Sequence, residues 1–236
     1  MLTLITLFHY SMYKESREMN AENEKKVLAY IKEAPKEKEN RVLKKTLTEK
    51  IWNDLKSKKT KSGACLWDCL KSGIIMPDSS MGIYACDRES YDVFADLFTP
   101  MMQTYFNSKK PHPKNDYGDL SKKDIRDLLD LAAVDENNLI KSTRVRVARN
   151  VEGVAYAAKI SPKDRIAVED KIVQASKTFT GDIEGSYTYM KDLDAKKQEE
   201  MVEAHLLFHC KDAYIREAGM FDDWPNGRGA FYSKNE

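Results

Sequence analysis

The sequence predicts an α+β chain, helical in its front half and mixed behind it, and three features carry that prediction. Leu43, Leu47, Ile51 and Leu55 recur every fourth residue, an apolar stripe at helical spacing. A polar stretch over 107–138, containing Lys110, Pro111, His112 and Pro113, interrupts that periodicity. Beyond it, residues 139–149 alternate with the period of two that belongs to a half-buried strand.

Taken in order, residues 1–19 form an N-terminal extension. Its apolar start, residues 1–8, is too short for a bilayer, which takes ~20 residues, and lacks the charged start and cleavage site of a signal peptide. Met12 and Met19 are later candidate starts. Residues 20–107 read as one helical domain. Within it the stripe at 43–55 is one helix, and Asp87 caps another whose apolar face is Tyr91, Phe94, Ala95 and Phe98, with Pro100 ending it. Residues 108–137 are a linker with a short helix near 124–131. Residues 138–236 hold the second domain. Ser161 and Pro162 start a helix with Val168, Ile172, Ala175 and Phe179 on its buried face. A strand is expected over 186–190, a helix capped by Asp194 and running to about 208, and a strand over 228–232.

Composition narrows the function. Thirty-nine basic and 38 acidic side chains leave a net charge of +1, without the basic field of a nucleic-acid binder, so a bound anion must be met by a local cluster. The cysteines, Cys65, Cys69, Cys86 and Cys210, form no C-x-x-C pair, and reduced, buried thiols in a cytoplasmic protein are expected, with no zinc site.

The chemistry sits on the strand at 142–146. Alternation puts Ser142, Arg144 and Arg146 on one side, and Thr143, Val145 and Val147 on the other. Two guanidinium forks then stand ~7 Å apart, a spacing that spans neighbouring phosphates of a nucleotide. A solvated basic face paired with surface carboxylates is the plainer reading of the same residues.

Ser142, Thr143, Arg144, Val145 and Arg146, followed by Arg149, resemble the nucleotide-binding strand of the phosphagen (ATP:guanidino) kinases. Other stretches match in the same order. Gly63, Ala64, Leu66, Trp67, Asp68, Lys71, Ser72 and Gly73 are similar to the early helix of arginine kinases, and residues 78–84 to their substrate-specificity loop. Residues 89–98, His112 with Pro113, residues 117–119, His205, Trp224 with Pro225, and Gly227, Arg228 and Gly229 continue the resemblance, which spans about 43–232.

The resemblance implies an all-helical domain followed by the first part of an antiparallel β-sheet domain flanked by helices. It implies transfer of the terminal phosphoryl group of MgATP to a guanidino compound, by alignment and electrostatic stabilisation. Arg144, Arg146 and Arg228 would hold the phosphates of MgATP or MgADP, Ser142 would contact them, and His205 would sit against the nucleotide. Ser80, Met81, Gly82, Ile83 and Tyr84 would receive the guanidino substrate. The loop departs from the family's Ser-Gly-Val-Gly: Ser79, Ser80, Met81 and Gly82 stand in those places, adding a Cβ and a longer side chain, while its length favours arginine over creatine. The family's catalytic carboxylates, reactive cysteine and further arginines belong to motifs beyond Glu236. The 236 residues alone are therefore expected not to turn over, and a protein partner or further sequence to complete the sheet. The alternative is a truncated pseudokinase in a larger cytoskeletal or ciliary assembly. Neither nucleic acid nor membrane is expected as a partner.

Overall fold

Asn20 opens the first helix by accepting the Asn23 N–H on its side chain at 2.8 Å. Helix α1 (Ala21–Lys32) follows, with Glu22 and Glu24 in the first turn, where the helix dipole favours negative charge. The computed structural model describes residues 19–34, 41–79, 81–109, 139, 141, 147–207 and 213–234. Residues 1–18 of the N-terminal extension, almost all of the linker with the short helix expected there, and residues 142–146 of the expected strand lie outside the described residues.

The stripe at 43–55 forms two helices where one is expected, α2 (Arg41–Thr46) and α3 (Glu49–Leu55). Thr46 Oγ1 donates to the Val42 carbonyl at 2.8 Å, and Thr48 Oγ1 accepts the Ile51 N–H at 3.2 Å. These hydroxyls close one helix and open the next. The apolar stripe survives the break, with Leu43, Leu47 and Leu55 all buried. Helix α4 (Leu66–Ile75) is the centre of the unit, and its residues 66–73 are all buried.

The next expected helix is also divided, into α5 (Ser90–Val93) and α6 (Ala95–Tyr105), with Phe94 between them. Pro100 lies inside α6 and does not end it. The proline forfeits one backbone bond, but Leu97, Phe98 and Met101 on either side of it are buried, and their burial holds the helix together. Tyr91 is 41% exposed and rests edge-on against Phe98 at 5.1 Å, outside the core expected for it.

In the second half, Ser161 Oγ accepts the Asp164 N–H at 3.1 Å and Pro162 takes the first position of α7 (Pro162–Ser176), as expected. The buried face of α7 differs from the expected one: Arg165, Glu169 and Val173 are buried, while Ile172 is 47% exposed. Polar partners cause the rotation. Tyr187 donates to Glu169 Oε1 at 3.0 Å, and Gly227 lies against the Arg165 side chain.

Strands β1 (Gly185–Tyr189) and β2 (Gly229–Ser233) pair antiparallel, with Tyr187 opposite Phe231. Both were legible from sequence within one residue. Asp194 Oδ1 accepts the Lys197 N–H at 2.7 Å and caps α8 (Ala195–Glu203). This helix ends at Glu203, short of the expected 208, because the chain turns into the left-handed region at His205, φ 61°. Helix α9 (Ala213–Glu217) follows. Residues 147–149, the tail of the strand expected over 139–149, are not in strand conformation, and the sheet among the described residues is formed by β1 and β2. The fold is α+β, and among the described residues the sheet has two strands. No helix among them is long and apolar enough to cross a membrane.

The two halves meet along α4. The Tyr156 N–H donates to the Cys86 carbonyl at 2.7 Å, Lys159 pairs with buried Asp68 at 3.0 Å, and Tyr214 on α9 donates to Asp78 at 2.5 Å. Ala158 joins the helical core.

Asp87 ties the connection before α5 to the turn before α4. Its Oδ1 accepts the Ser90 N–H at 2.8 Å and the Ser90 hydroxyl at 2.9 Å, and its Oδ2 accepts Thr60 at 2.5 Å and Ser62. Burial works against its charge, but these donors outweigh burial and hold Asp87 below the usual carboxylate range. A depressed folded value gives stability that is complete above the unfolded pKa of about 3.9 and is lost as pH falls through the folded value. Asp87→Asn is expected to unfold at lower urea than the parent at pH 7, and to lose less stability than the parent between pH 5 and pH 2. Urea titrations across that range measure both.

Candidate active site

The loop before Cys86 is seated on α4 by backbone. A Cβ placed on Gly73 would lie 2.1 Å from the Gly82 carbonyl oxygen, so only glycine allows the contact. Gly82 itself has φ 70°, in the left-handed region. Two residues on, the Tyr84 N–H donates to the Cys69 carbonyl of α4 at 3.0 Å. Ile83 is buried, Met81 packs partly buried against the core, and Tyr84 is 42% exposed. Ser80 lies outside the described residues. The loop thus anchors Gly82 and Ile83 and leaves the Tyr84 ring to meet a solute.

A second feature lies in the second half of the chain. Arg149, Arg165 and Arg228 line one cleft of about 220 Å³ together with Tyr156 and Met220. Helix α7 supplies Arg165, and the turn before β2 supplies Arg228. Two close backbone approaches shape the cleft: Gly219 lies against the Ala157 carbonyl, and Gly227 against the Arg165 side chain. Arg228 Nε and Nη2 donate to the Met220 carbonyl at 3.2 and 2.7 Å, and Nη1 donates to the Asn226 carbonyl at 2.9 Å. The guanidinium also stands 5.5 Å from the Trp224 ring. Burial, and then the neighbouring Arg165 charge, bring Arg228 down to about 10, against the opposing pull of Asp222, Asp223 and Glu169. It remains cationic at neutral pH. Two like charges held this close favour an anion between or beside them.

The residues expected at the site are distributed unevenly. Arg228 is in the arginine cleft, and Met81, Gly82, Ile83 and Tyr84 share one loop. His205 is exposed in the turn after α8, where its N–H donates to the Val202 carbonyl at 3.0 Å. Ser142, Thr143, Arg144, Val145 and Arg146 lie outside the described residues. Sequence reasoning missed Arg165 and Tyr214. Arg165 sits at the start of a charged helix and reads as surface; its one signal is Gly227, a residue that permits close packing. Tyr214, bonded to Asp78 across 136 residues of chain, had no local signal.

Two matches to known proteins follow the same division. Residues 37–103 match the family described as ATP:guanido phosphotransferase, N-terminal domain. Residues 167–236 match ATP:guanido phosphotransferase, C-terminal catalytic domain. The chain belongs to the ATP:guanido phosphotransferase family. It is 38% identical over 196 residues to an arginine kinase of Amphioctopus fangsiao, covering 83% of this chain and 55% of that protein. It is 36% identical over 193 residues to the arginine kinase of Haliotis madaka, covering 81% and 52%. The chain therefore spans about half the length of these curated relatives. Among solved structures, the duplicated taurocyamine kinase from Schistosoma mansoni with bound transition-state-analogue components superposes with a TM-score of 0.76 at 30% identity, over 92% of this chain and 30% of that one. Lombricine kinase, at 20% identity and TM-score 0.65 over 84% of this chain and 53% of that one, shares the fold.

The Gly73–Gly82 contact can be tested by the sign of one substitution. In a helix interior with open space, Gly→Ala stabilises by up to ~1 kcal/mol. Here the added Cβ meets backbone that cannot swing aside, so Gly73→Ala is expected to destabilise by about 2 kcal/mol. Gly63→Ala is the comparison: Gly63 has φ 79° with nothing within 4 Å, so only backbone strain of ~1 kcal/mol applies. Urea midpoints of the two variants give the ranking.

Proposed function

We propose that this chain carries the substrate loop and part of the nucleotide side of an arginine-kinase-like phosphotransferase, which moves the terminal phosphoryl group of MgATP to a guanidino nitrogen. The observation that supports this reading best is the loop at 81–84. It is fixed to α4 by backbone at Gly82 and Tyr84 and keeps its aromatic ring in solvent, in a chain of the ATP:guanido phosphotransferase family. Ser80, Met81, Gly82, Ile83 and Tyr84 are proposed to receive the guanidino compound.

On the nucleotide side, the arginine cleft suits a phosphate-sized anion, being lined by Arg149, Arg165 and Arg228 within about 220 Å³. The fit to a nucleotide is therefore at its phosphates. When bound, MgATP supplies the transferable phosphoryl group and its own divalent cation. Arg144, Arg146 and Arg228 are proposed to meet the phosphates, with Ser142, Thr143 and Val145 on the same strand and His205 on the nucleotide. Arg228 enters this role already oriented, because its planar fork is fixed by the Met220 and Asn226 carbonyls.

A second reading, a family member retained as a structural component, draws on the same residue. A guanidinium whose Nε and both Nη atoms already donate to carbonyls of its own turn has a structural use that survives loss of chemistry.

Nucleotide binding separates assigned residues from unassigned ones. Charge-assisted bonds are worth ~1.5–3 kcal/mol each, so loss of two should weaken ADP binding by at least tenfold. Calorimetry with ADP on the parent and on Arg144→Ala/Arg146→Ala is expected to show that loss; equal affinities would remove the strand from the site. Turnover separates the two readings. The 236-residue chain alone is expected to release no ADP above background with MgATP and arginine or other guanidino compounds, since the family's catalytic carboxylates belong to motifs these residues do not include. Turnover in a coupled assay, with contaminating kinase excluded, would place the chemistry within these 236 residues and set aside the structural reading.

A further inference from the structure

Two buried thiols face each other beneath the 78–84 loop. Cys69 and Cys86 are both fully buried and free, and their sulfurs lie 3.6 Å apart. Cys69 is held within α4. Cys86 is held on both sides of its peptide, its N–H donating to Ser90 Oγ at 3.1 Å and its carbonyl accepting from Tyr156 at 2.7 Å. The backbone at the two positions is therefore fixed while the side chains touch. A disulfide requires the sulfurs to close from 3.6 Å to ~2.05 Å, a shift of about 1.5 Å.

Their place in the chain gives the contact a meaning beyond packing. The 16 residues between Cys69 and Cys86 contain the end of α4 and the whole 78–84 loop. That loop already rests on α4 through the Gly73–Gly82 approach and the Tyr84–Cys69 hydrogen bond.

We propose that Cys69 and Cys86 are an oxidation site, forming an intramolecular disulfide with hydrogen peroxide as oxidant and so tethering the C-terminal end of the 78–84 loop to α4. In the first step a Cys69 sulfur lone pair attacks one peroxide oxygen. The S–O bond forms, the O–O bond breaks, and the leaving hydroxide takes the Cys69 thiol proton and departs as water, leaving a sulfenic acid. In the second step the Cys86 sulfur attacks the Cys69 sulfur. The S–S bond forms, the S–O bond breaks, and a second water leaves with the Cys86 proton. Two thiols are oxidised and one peroxide is reduced to two waters. The hydrogen bond shared with Cys69, and then burial, push the Cys86 thiol up, so its attack depends on the contact that already holds it against the Cys69 sulfur. Burial sets the access: only a small, uncharged oxidant reaches the pair in the folded chain, and bulky thiol reagents react elsewhere first. On the guanidino-substrate reading of the loop, on which this last consequence rests, oxidation fixes the segment that receives substrate.

The test uses the full 236-residue chain carrying Cys65→Ser and Cys210→Ser, so that Cys69 and Cys86 are its remaining thiols. After hydrogen peroxide and blocking of residual thiols, trypsin without reductant is expected to give peptides 62–71 and 72–88 joined as the dominant species. The joined mass should be lost with dithiothreitol and absent from Cys69→Ala. Amide exchange over 76–85 is expected to slow several-fold in the oxidised chain, with circular dichroism unchanged. Unlinked peptides, or sulfinic and sulfonic acids at either cysteine, would overturn the oxidation site. A cross-link with unchanged exchange over 76–85 would overturn the tether. Neither result depends on substrate binding, so the disulfide and the assignment of the loop to a guanidino compound stand or fall separately.

Discussion

Asp68 is 3% exposed at the start of the central helix, and a carboxylate so placed is tolerable only if it is paired. Its Oδ2 accepts the Cys65 N–H at 2.9 Å, which closes the first turn of α4, and binds Lys159 Nζ at 3.0 Å. Burial works against the Lys159 charge, yet Asp68 outweighs it and holds the ammonium above its ordinary value. The pair fixes the segment at 156–159 on the helical unit, and the rest of the second half is built outward from that segment. Gly219 packs on Ala157, Gly227 packs on Arg165, and the turn between those glycines carries Arg228 into the arginine cleft. An ion pair on the central helix thus helps set the position of the cations.

Local chemistry made part of this fold legible. The caps at Asn20, Thr48, Ser161 and Asp194 are hydrogen bonds spanning three residues, and the helices that start at Ser161 and Asp194 follow from sequence by that chemistry. The two strands were legible because Ser186 to Met190 and Arg228 to Tyr232 alternate between recognisable turns. Errors arose where tertiary contacts overrode the local pattern. Pro100 reads as a terminator, yet its helix is held by buried neighbours on both sides. The α7 face was misjudged because Arg165 and Glu169 look solvated in sequence and are buried only by partners more than fifteen residues away, such as Tyr187.

The site was legible to a different degree on its two sides. The 78–84 loop could be found because a glycine, an isoleucine and a tyrosine at fixed spacing follow a helix that itself carries a glycine. The arginine cleft could not be assembled from sequence, since Arg149, Arg165 and Arg228 come from three separate stretches that only the fold brings together. Its electrostatics also depend on that assembly, because the lowered pKa of Arg228 reflects burial and Arg165 rather than any neighbour in sequence.

The backbone contact between Gly73 and Gly82 bears on how such a loop can diverge. Its position on α4 is set by main-chain atoms, by the absence of two side chains and by Ile83 in the core, so the partly buried Met81 and the exposed Tyr84 contribute less to where the loop lies. Met81 and Tyr84 can therefore be exchanged while the frame that presents them stays in register. Substitution at those two positions costs folding little, whereas any change at either glycine lowers stability at once. A loop built in this way is a replaceable insert on a fixed seat, with surface chemistry and fold stability assigned to different residues.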